Sequence, residues 1–140
     1  MHILKRKFRR SIDELKHIFR FVAEFMEKYN AATKIVNDVS LAVEEIFTNM
    51  VKYNPEGPPF VEMVIAIQDN TLRIEIIDVE KKPFDLTRAE VYDLSRPVED
   101  RPIGRLGIYF VKSVMDRLEY EHQKERSVIT MIKNLGVKDV

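Results

Sequence analysis

The feature that most constrains this chain is the alternation across residues 60–76. Val61, Met63, Ile65 and Ile67 fall on one face, and Leu72, Ile74 and Ile76 resume the alternation after Asp69-Asn70. Side chains on a strand alternate faces, and an Asn-containing pair between two such runs marks a hairpin turn. A hairpin with one fully apolar face cannot stand alone in water, so something amphipathic must cover it.

The rest of the chain supplies that cover. Residues 3–8 alternate weakly and read as a short first strand. Ser11 and Glu14 form a capping box, in which hydroxyl and carboxylate each satisfy a free helix-start amide. Ile12, Leu15, Ile18, Phe19, Val22 and Met26 then recur at helical spacing, giving a first helix to about Tyr29, with Asn30 as its stop. A second helix is expected over residues 33–53, with Val39, Val43, Ile46 and Met50 as its core stripe. The Pro-rich run 54–59 ends it, because proline removes a donor and restricts the residue before it. A third helix starts near Gly107 and runs to Met115, and residues 118–123 and 127–133 close the chain as another hairpin.

The order β-α-α-β-β-loop-α-β-β predicts an α+β fold. It is a two-layer α/β sandwich whose mixed, mostly antiparallel sheet is covered by helices on one face. No linker or internal repeat divides the chain, so one domain over residues 1–140 is expected. Residues 78–107 carry little periodicity, several prolines and many charges, and a structureless stretch of that length in a compact domain is usually functional.

Several function classes fall away. The chain contains no cysteine, which excludes disulfides, zinc-thiolate sites and thiol nucleophiles. His2, His17 and His122 lack metal-ligand spacing. With 23 basic and 23 acidic residues the formal net charge is zero, giving no general attraction for nucleic acid or anionic lipid. The cluster Lys5, Arg6, Lys7, Arg9 and Arg10 reads as a solvated strand edge. No apolar run is long enough to span a bilayer, and the N-terminus lacks a signal-peptide h-region, so a cytoplasmic protein is expected.

Three pieces can carry chemistry. On the second helix, Asp38, Glu45, Asn49 and Lys52 form a stripe about 120° from the apolar one. Glu45 and Asn49 are an i, i+4 pair whose side chains meet on one turn, and paired oxygen donors suit Mg²⁺. Taken alone, the pair reads more simply as two solvent-facing side chains, since E-x-x-x-N is a very common spacing. Asp78 ends an apolar strand where the long loop begins, as either a ligand group or a turn residue. Gly104-Arg105-Leu106-Gly107 enters a helix, where glycine permits close backbone approach and the helix end offers free amides to phosphate. It is neither a Walker motif nor a dinucleotide-binding fingerprint, and a KH-type G-x-x-G loop for RNA would need a helix before it.

The order of these pieces resembles one family. LAVEEIFTNMVKYN (41–54) resembles the N-box helix of the anti-sigma-factor serine kinase branch of the GHKL, or histidine-kinase-like, ATPases. IEIIDVEKKPFDLT (74–87) and RPIGRLGIYFVKSVMDRLEY (101–120) resemble that branch's two glycine boxes, and ERSVITMIK its closing strand. The resemblance implies the Bergerat fold and Mg-ATP as cofactor. By it, Asn49 ligates Mg²⁺, Glu45 is the general base, and Asp78 accepts from the adenine amino group. Gly104, Arg105, Leu106 and Gly107 hold phosphate with Arg101, Lys52 lies along the same nucleotide-binding stripe, and residues from about Asp85 to Arg101 form a lid. It further implies a serine/threonine-protein kinase that acts on an anti-sigma-factor antagonist, sequesters a sigma factor and forms a homodimer. The chain departs from the pattern at Glu80, where a glycine is usual, at Arg105 and at Ser127, and the loop to Pro83 is one residue longer. Those departures keep open a second reading, a non-catalytic interaction module on the same fold.

Overall fold

The computed structural model describes residues 2–83, 85, 87 and 105–136, the side chains of Arg105 and Leu106 excepted. In chain order the elements are β1 (His2–Arg9), a 3-10 turn (Ile12–Glu14), α1 (Leu15–Glu27), α2 (Thr33–Tyr53), β2 (Phe60–Gln68), β3 (Thr71–Val79), α3 (Arg105–Val114), β4 (Arg117–Gln123) and β5 (Arg126–Asn134). The strands form a five-stranded sheet in the order β1-β2-β3-β5-β4. Among the described residues its pairings are all antiparallel, one step beyond the mixed, mostly antiparallel sheet expected.

The alternation sets which face is covered. Val61, Met63, Ile65 and Ile67 of β2 and Leu72, Ile74 and Ile76 of β3 share one buried cluster with Val39, Val43, Ile46 and Met50 of α2 and Ile108 and Val111 of α3. Each such side chain contributes about 1.5–3 kcal/mol when removed from water, so this cluster is the main force holding helices on sheet. The register Ile65↔Ile74 and Ile74↔Met131 carries Asp78 onto the same face, opposite Ser127 of β5. The other face keeps Phe60 and Val79 half exposed. Two-residue turns with left-handed backbone close both hairpins, at Asp69-Asn70 (φ 52° and 64°) and at Lys124-Glu125 (φ 51° and 65°).

α1 departs from its expected form in two respects. Only half of the capping box exists: Ser11 Oγ accepts from the Asp13 amide at 3.3 Å. Glu14 does not reach back to the cap, because its carboxylate takes Arg9 Nε at 3.0 Å and His17 Nδ1 at 3.3 Å. The first turn is therefore a 3-10 turn, and α1 proper begins at Leu15. The buried stripe is also rotated, since Ile12 is exposed while Phe21 and Phe25 join Ile18, Val22 and Met26 in the core. Asn30 ends the region as expected, with φ 55°.

Candidate functional site

α2 buries its apolar stripe against the sheet, and that rotation carries Asn49 inward too, to 1% exposure. Asn49 Nδ2 donates to Glu45 Oε1 at 3.2 Å across one helical turn. A carboxylate only accepts, so the amide must turn its nitrogen towards Glu45 and its oxygen away. That oxygen, Asn49 Oδ1, is buried and has no hydrogen-bond partner among the described residues. Leaving such an acceptor unmade costs about 1–3 kcal/mol. A cation shared with a bound anion would satisfy it, since Mg²⁺ takes oxygen ligands and retains waters or phosphates in its remaining positions.

Gly107 faces this pair from the first turn of α3. A Cβ placed on it would lie 1.8 Å from both Cδ and Oε1 of Glu45. The carboxylate therefore rests against bare backbone at a helix start, where free amides and the helix dipole favour anions. No side chain larger than hydrogen fits there unless Glu45 moves. Of the remaining expected phosphate-binding residues, Arg105 begins α3, and Leu106 follows it. Arg101 and Gly104 lie outside the described residues, as does most of the expected lid. Lys52 is exposed on the last turn of α2.

Asp78 ends the helix-facing row of β3 and is 3% exposed. Its carboxylate is held three ways. Oδ1 takes the guanidinium of Arg10 through Nη2 and the Val79 amide at 2.8 Å, and Oδ2 takes Asn54 Nδ2 at 3.1 Å. Asn54 is the C-cap of α2 and also donates to the Val79 carbonyl at 2.8 Å, so it ties the end of the helix bearing Asn49 to the strand end bearing Asp78. Arg10 corrects the reading of its basic cluster as solvated edge: its side chain is only 4% exposed. Its Nε donates to the Pro58 carbonyl at 2.8 Å and its backbone amide to the Pro59 carbonyl at 2.8 Å. Lys5, Arg6, Lys7 and Arg9 are exposed as expected.

Beside Asp78 lies a second polar group. Glu80 Oε1 accepts from Ser127 Oγ and, at 3.1 Å, from the Tyr120 hydroxyl, while His122 Nδ1 meets Ser127 Oγ at 2.7 Å. Burial raises the Tyr120 phenol above its ordinary value, and the neighbouring Glu80 charge raises it further. Glu80 thus turns its anion onto Ser127 of the adjacent strand. Arg10 and His122 lie outside every motif, and Asn54 and Tyr120 end the N-box and second glycine-box segments with no role implied for them. Only the strand register could have signalled Tyr120 and His122, because both alternate with exposed residues on an edge strand.

A single antiparallel sheet with helices on one face, and a carboxylate-carboxamide pair pressed against a glycine at a helix start, define a two-layer α+β sandwich with its polar pair between α2 and α3. Residues 8–133 match the family described as "Histidine kinase-like ATPase domain", and the chain belongs to that family. Among curated proteins it is 30% identical over 98 residues to the serine-protein kinase RsbW of Bacillus cereus (strain AH820), a match covering 67% of this chain and 61% of that protein. The RsbW of Bacillus thuringiensis (strain Al Hakam) is 28% identical over 99 residues, with the same coverage. The match thus spans about 61% of the length of these relatives. Two solved structures share the fold at 13% identity. The RsbU and RsbW domains of a Mycobacterium tuberculosis protein superpose with a TM-score of 0.67, covering 96% of this chain and 32% of that one. The SiaB-SiaC complex of Pseudomonas aeruginosa gives 0.62, covering 93% and 88%.

Proposed function

We propose that the chain binds Mg-ATP between α2 and the start of α3 and transfers the γ-phosphoryl group to a serine of an anti-sigma-factor antagonist protein. The observation that carries this reading is the buried Asn49 Oδ1, without a partner among the described residues, next to a carboxylate held against Gly107. Asn49 Oδ1 is the atom that would hold Mg²⁺, which when bound supplies neutralisation of the phosphate oxygens. Gly107, with Gly104, Arg105, Leu106 and Arg101, is assigned to the phosphates, Lys52 to the rim of the same site, and Asp78 to the adenine amino group. Glu45 accepts the proton of the attacking serine hydroxyl as its oxygen bonds to phosphorus and the bond to ADP breaks. The relatives' name, serine-protein kinase, supports the reaction class. The SiaB-SiaC complex supports a protein partner for this fold. A sigma factor as second partner, a homodimer and a cytoplasmic location belong to the same proposal.

Thermal unfolding with and without millimolar Mg-ATP tests the binding, since a ligand of the folded state raises its stability through linkage. A rise that disappears in Asn49→Ala is expected, and a folded protein with no rise refutes the site. The chain's turn at Glu80 favours one other reading, a non-catalytic partner-binding module, because that anion stands at Ser127 directly across from Asp78. Nucleotide-independent capture of an antagonist protein, unaltered in Asn49→Ala, would favour the module over the kinase.

A further inference from the structure

The residue nearest the proposed base-binding carboxylate is a cation of the chain itself. Asp78 has about four lone-pair positions, and Arg10, the Val79 amide and Asn54 use three of them. Its side chain is 1% exposed and that of Arg10 is 4% exposed. An exocyclic amino group needs an accessible acceptor, and here the acceptor is covered by a donor.

Arg10 is built into this position rather than laid on it. Its backbone is pinned to the Pro59 carbonyl and its Nε to the Pro58 carbonyl. Gly57 makes the room: a Cβ there would stand 2.7 Å from Cζ and Nη2 of Arg10 and 2.6 Å from Asn54 Nδ2. Yet the guanidinium is incompletely satisfied, because Nη1 is buried without a partner among the described residues. The unmade hydrogen bond lowers what the closed arrangement gains from the pair, and a purine amino group would replace on Asp78 the donor that Arg10 withdraws.

We propose that Arg10 is an internal competitor for the base subsite: its guanidinium takes the place on Asp78 that the purine amino group needs, and nucleotide binds only as Arg10 withdraws. The proposal rests on Asp78 being the base acceptor of the nucleotide site above. It makes Arg10 the residue that sets nucleotide affinity, since only the fraction of molecules with Arg10 displaced is competent to bind. Gly57 is then what lets the guanidinium and Asn54 close together on Asp78.

Calorimetric titration of the full chain with Mg-ATP and with Mg-tripolyphosphate, which has no base, tests this. Arg10→Met keeps the aliphatic stem and removes the donor. Gly57→Ala leaves Arg10 in the sequence but crowds both its guanidinium and Asn54 Nδ2, the two side-chain donors on Asp78, and so frees that carboxylate should Arg10→Met fail to fold. Both variants should bind Mg-ATP about tenfold tighter than the wild type, the change expected if the closed form holds roughly nine molecules in ten. Neither should gain affinity for tripolyphosphate. Unchanged or weaker Mg-ATP binding in the folded variants, with wild-type binding intact, overturns the competitor role and leaves the nucleotide site standing. An equal gain for tripolyphosphate overturns it too. No binding of Mg-ATP by any of the three proteins overturns both the competitor role and the nucleotide site.

Discussion

Gly107→Ala offers the sharpest test of how the two helices meet. Elsewhere in a helix this exchange stabilises, by up to about 1 kcal/mol, because alanine loses less backbone freedom than glycine. Here the new methyl would stand 1.8 Å from Cδ and Oε1 and 2.4 Å from Cγ of Glu45. The carboxylate ends a flexible side chain and can swing away, so the fold survives. What is lost is the 3.2 Å hydrogen bond from Asn49, leaving a second polar atom of a fully buried residue unpaired. That costs about 1–3 kcal/mol, which outweighs the alanine gain. In the wild-type background Gly107→Ala should therefore destabilise by roughly 0–2 kcal/mol, lowering the melting temperature by some 3–5 °C per kcal/mol. In a Glu45→Ala background the carboxylate no longer blocks the methyl, and the same substitution should stabilise by up to about 1 kcal/mol. Denaturant unfolding of the four proteins gives the coupling directly, expected at about 1–3 kcal/mol. A cycle that closes at zero, or a stabilising Gly107→Ala in the wild type, would refute the contact between Glu45 and α3.

Other consequences concern single groups. Arg9 chiefly, and His17 after it, hold the Glu14 carboxyl below its ordinary value against the opposing effect of burial. Its stabilising contribution is thus complete above a pH of about 4.3 and lost as pH falls through the lowered value. Glu14→Gln should cost stability at neutral pH and cost nothing in strong acid, as urea unfolding at both pH values would reveal. Tyr120 is raised, so the stability tied to its neutral phenol is present below a pH of about 10 and disappears as pH climbs through the raised value. Glu80→Gln removes a neighbouring charge and should let Tyr120 ionise at lower pH, visible in the 295 nm absorbance difference from Tyr120→Phe; an unmoved titration would place Glu80 elsewhere. At the β4–β5 turn, Lys124→Asn with Glu125→Gly supplies the residues that left-handed backbone prefers and should raise stability by about 1–2 kcal/mol. A loss on thermal unfolding would mean the turn has another geometry.

Local chemistry made the elements legible. The alternation of β2 and β3, the Asp69-Asn70 turn and the stripe of α2 each follow from a period confined to neighbouring residues. The limits of α2 coincide with those expected, the C-terminal one because Asn54-Pro55 follows it. α1 was less legible, since its first turn depends on Arg9, outside the helix, drawing Glu14 away from the cap. The pairing of Glu45 with Asn49 was equally legible, being a property of one turn.

What the sequence by itself determined, then, is which faces are apolar, where the chain turns, and which polar side chains share a helical row. Only the tertiary structure decided that Asn49 is buried while Lys52 is exposed, since burial depends on how α2 rolls against the sheet. It also decided that Gly107 meets Glu45 and that Arg10 crosses to Asp78, leaving a basic cluster whose other members stay in water. Such contacts join residues far apart in the chain, and no periodicity carries them. They arise because two rigid layers, once their apolar faces are matched, leave the remaining polar groups a fixed set of neighbours.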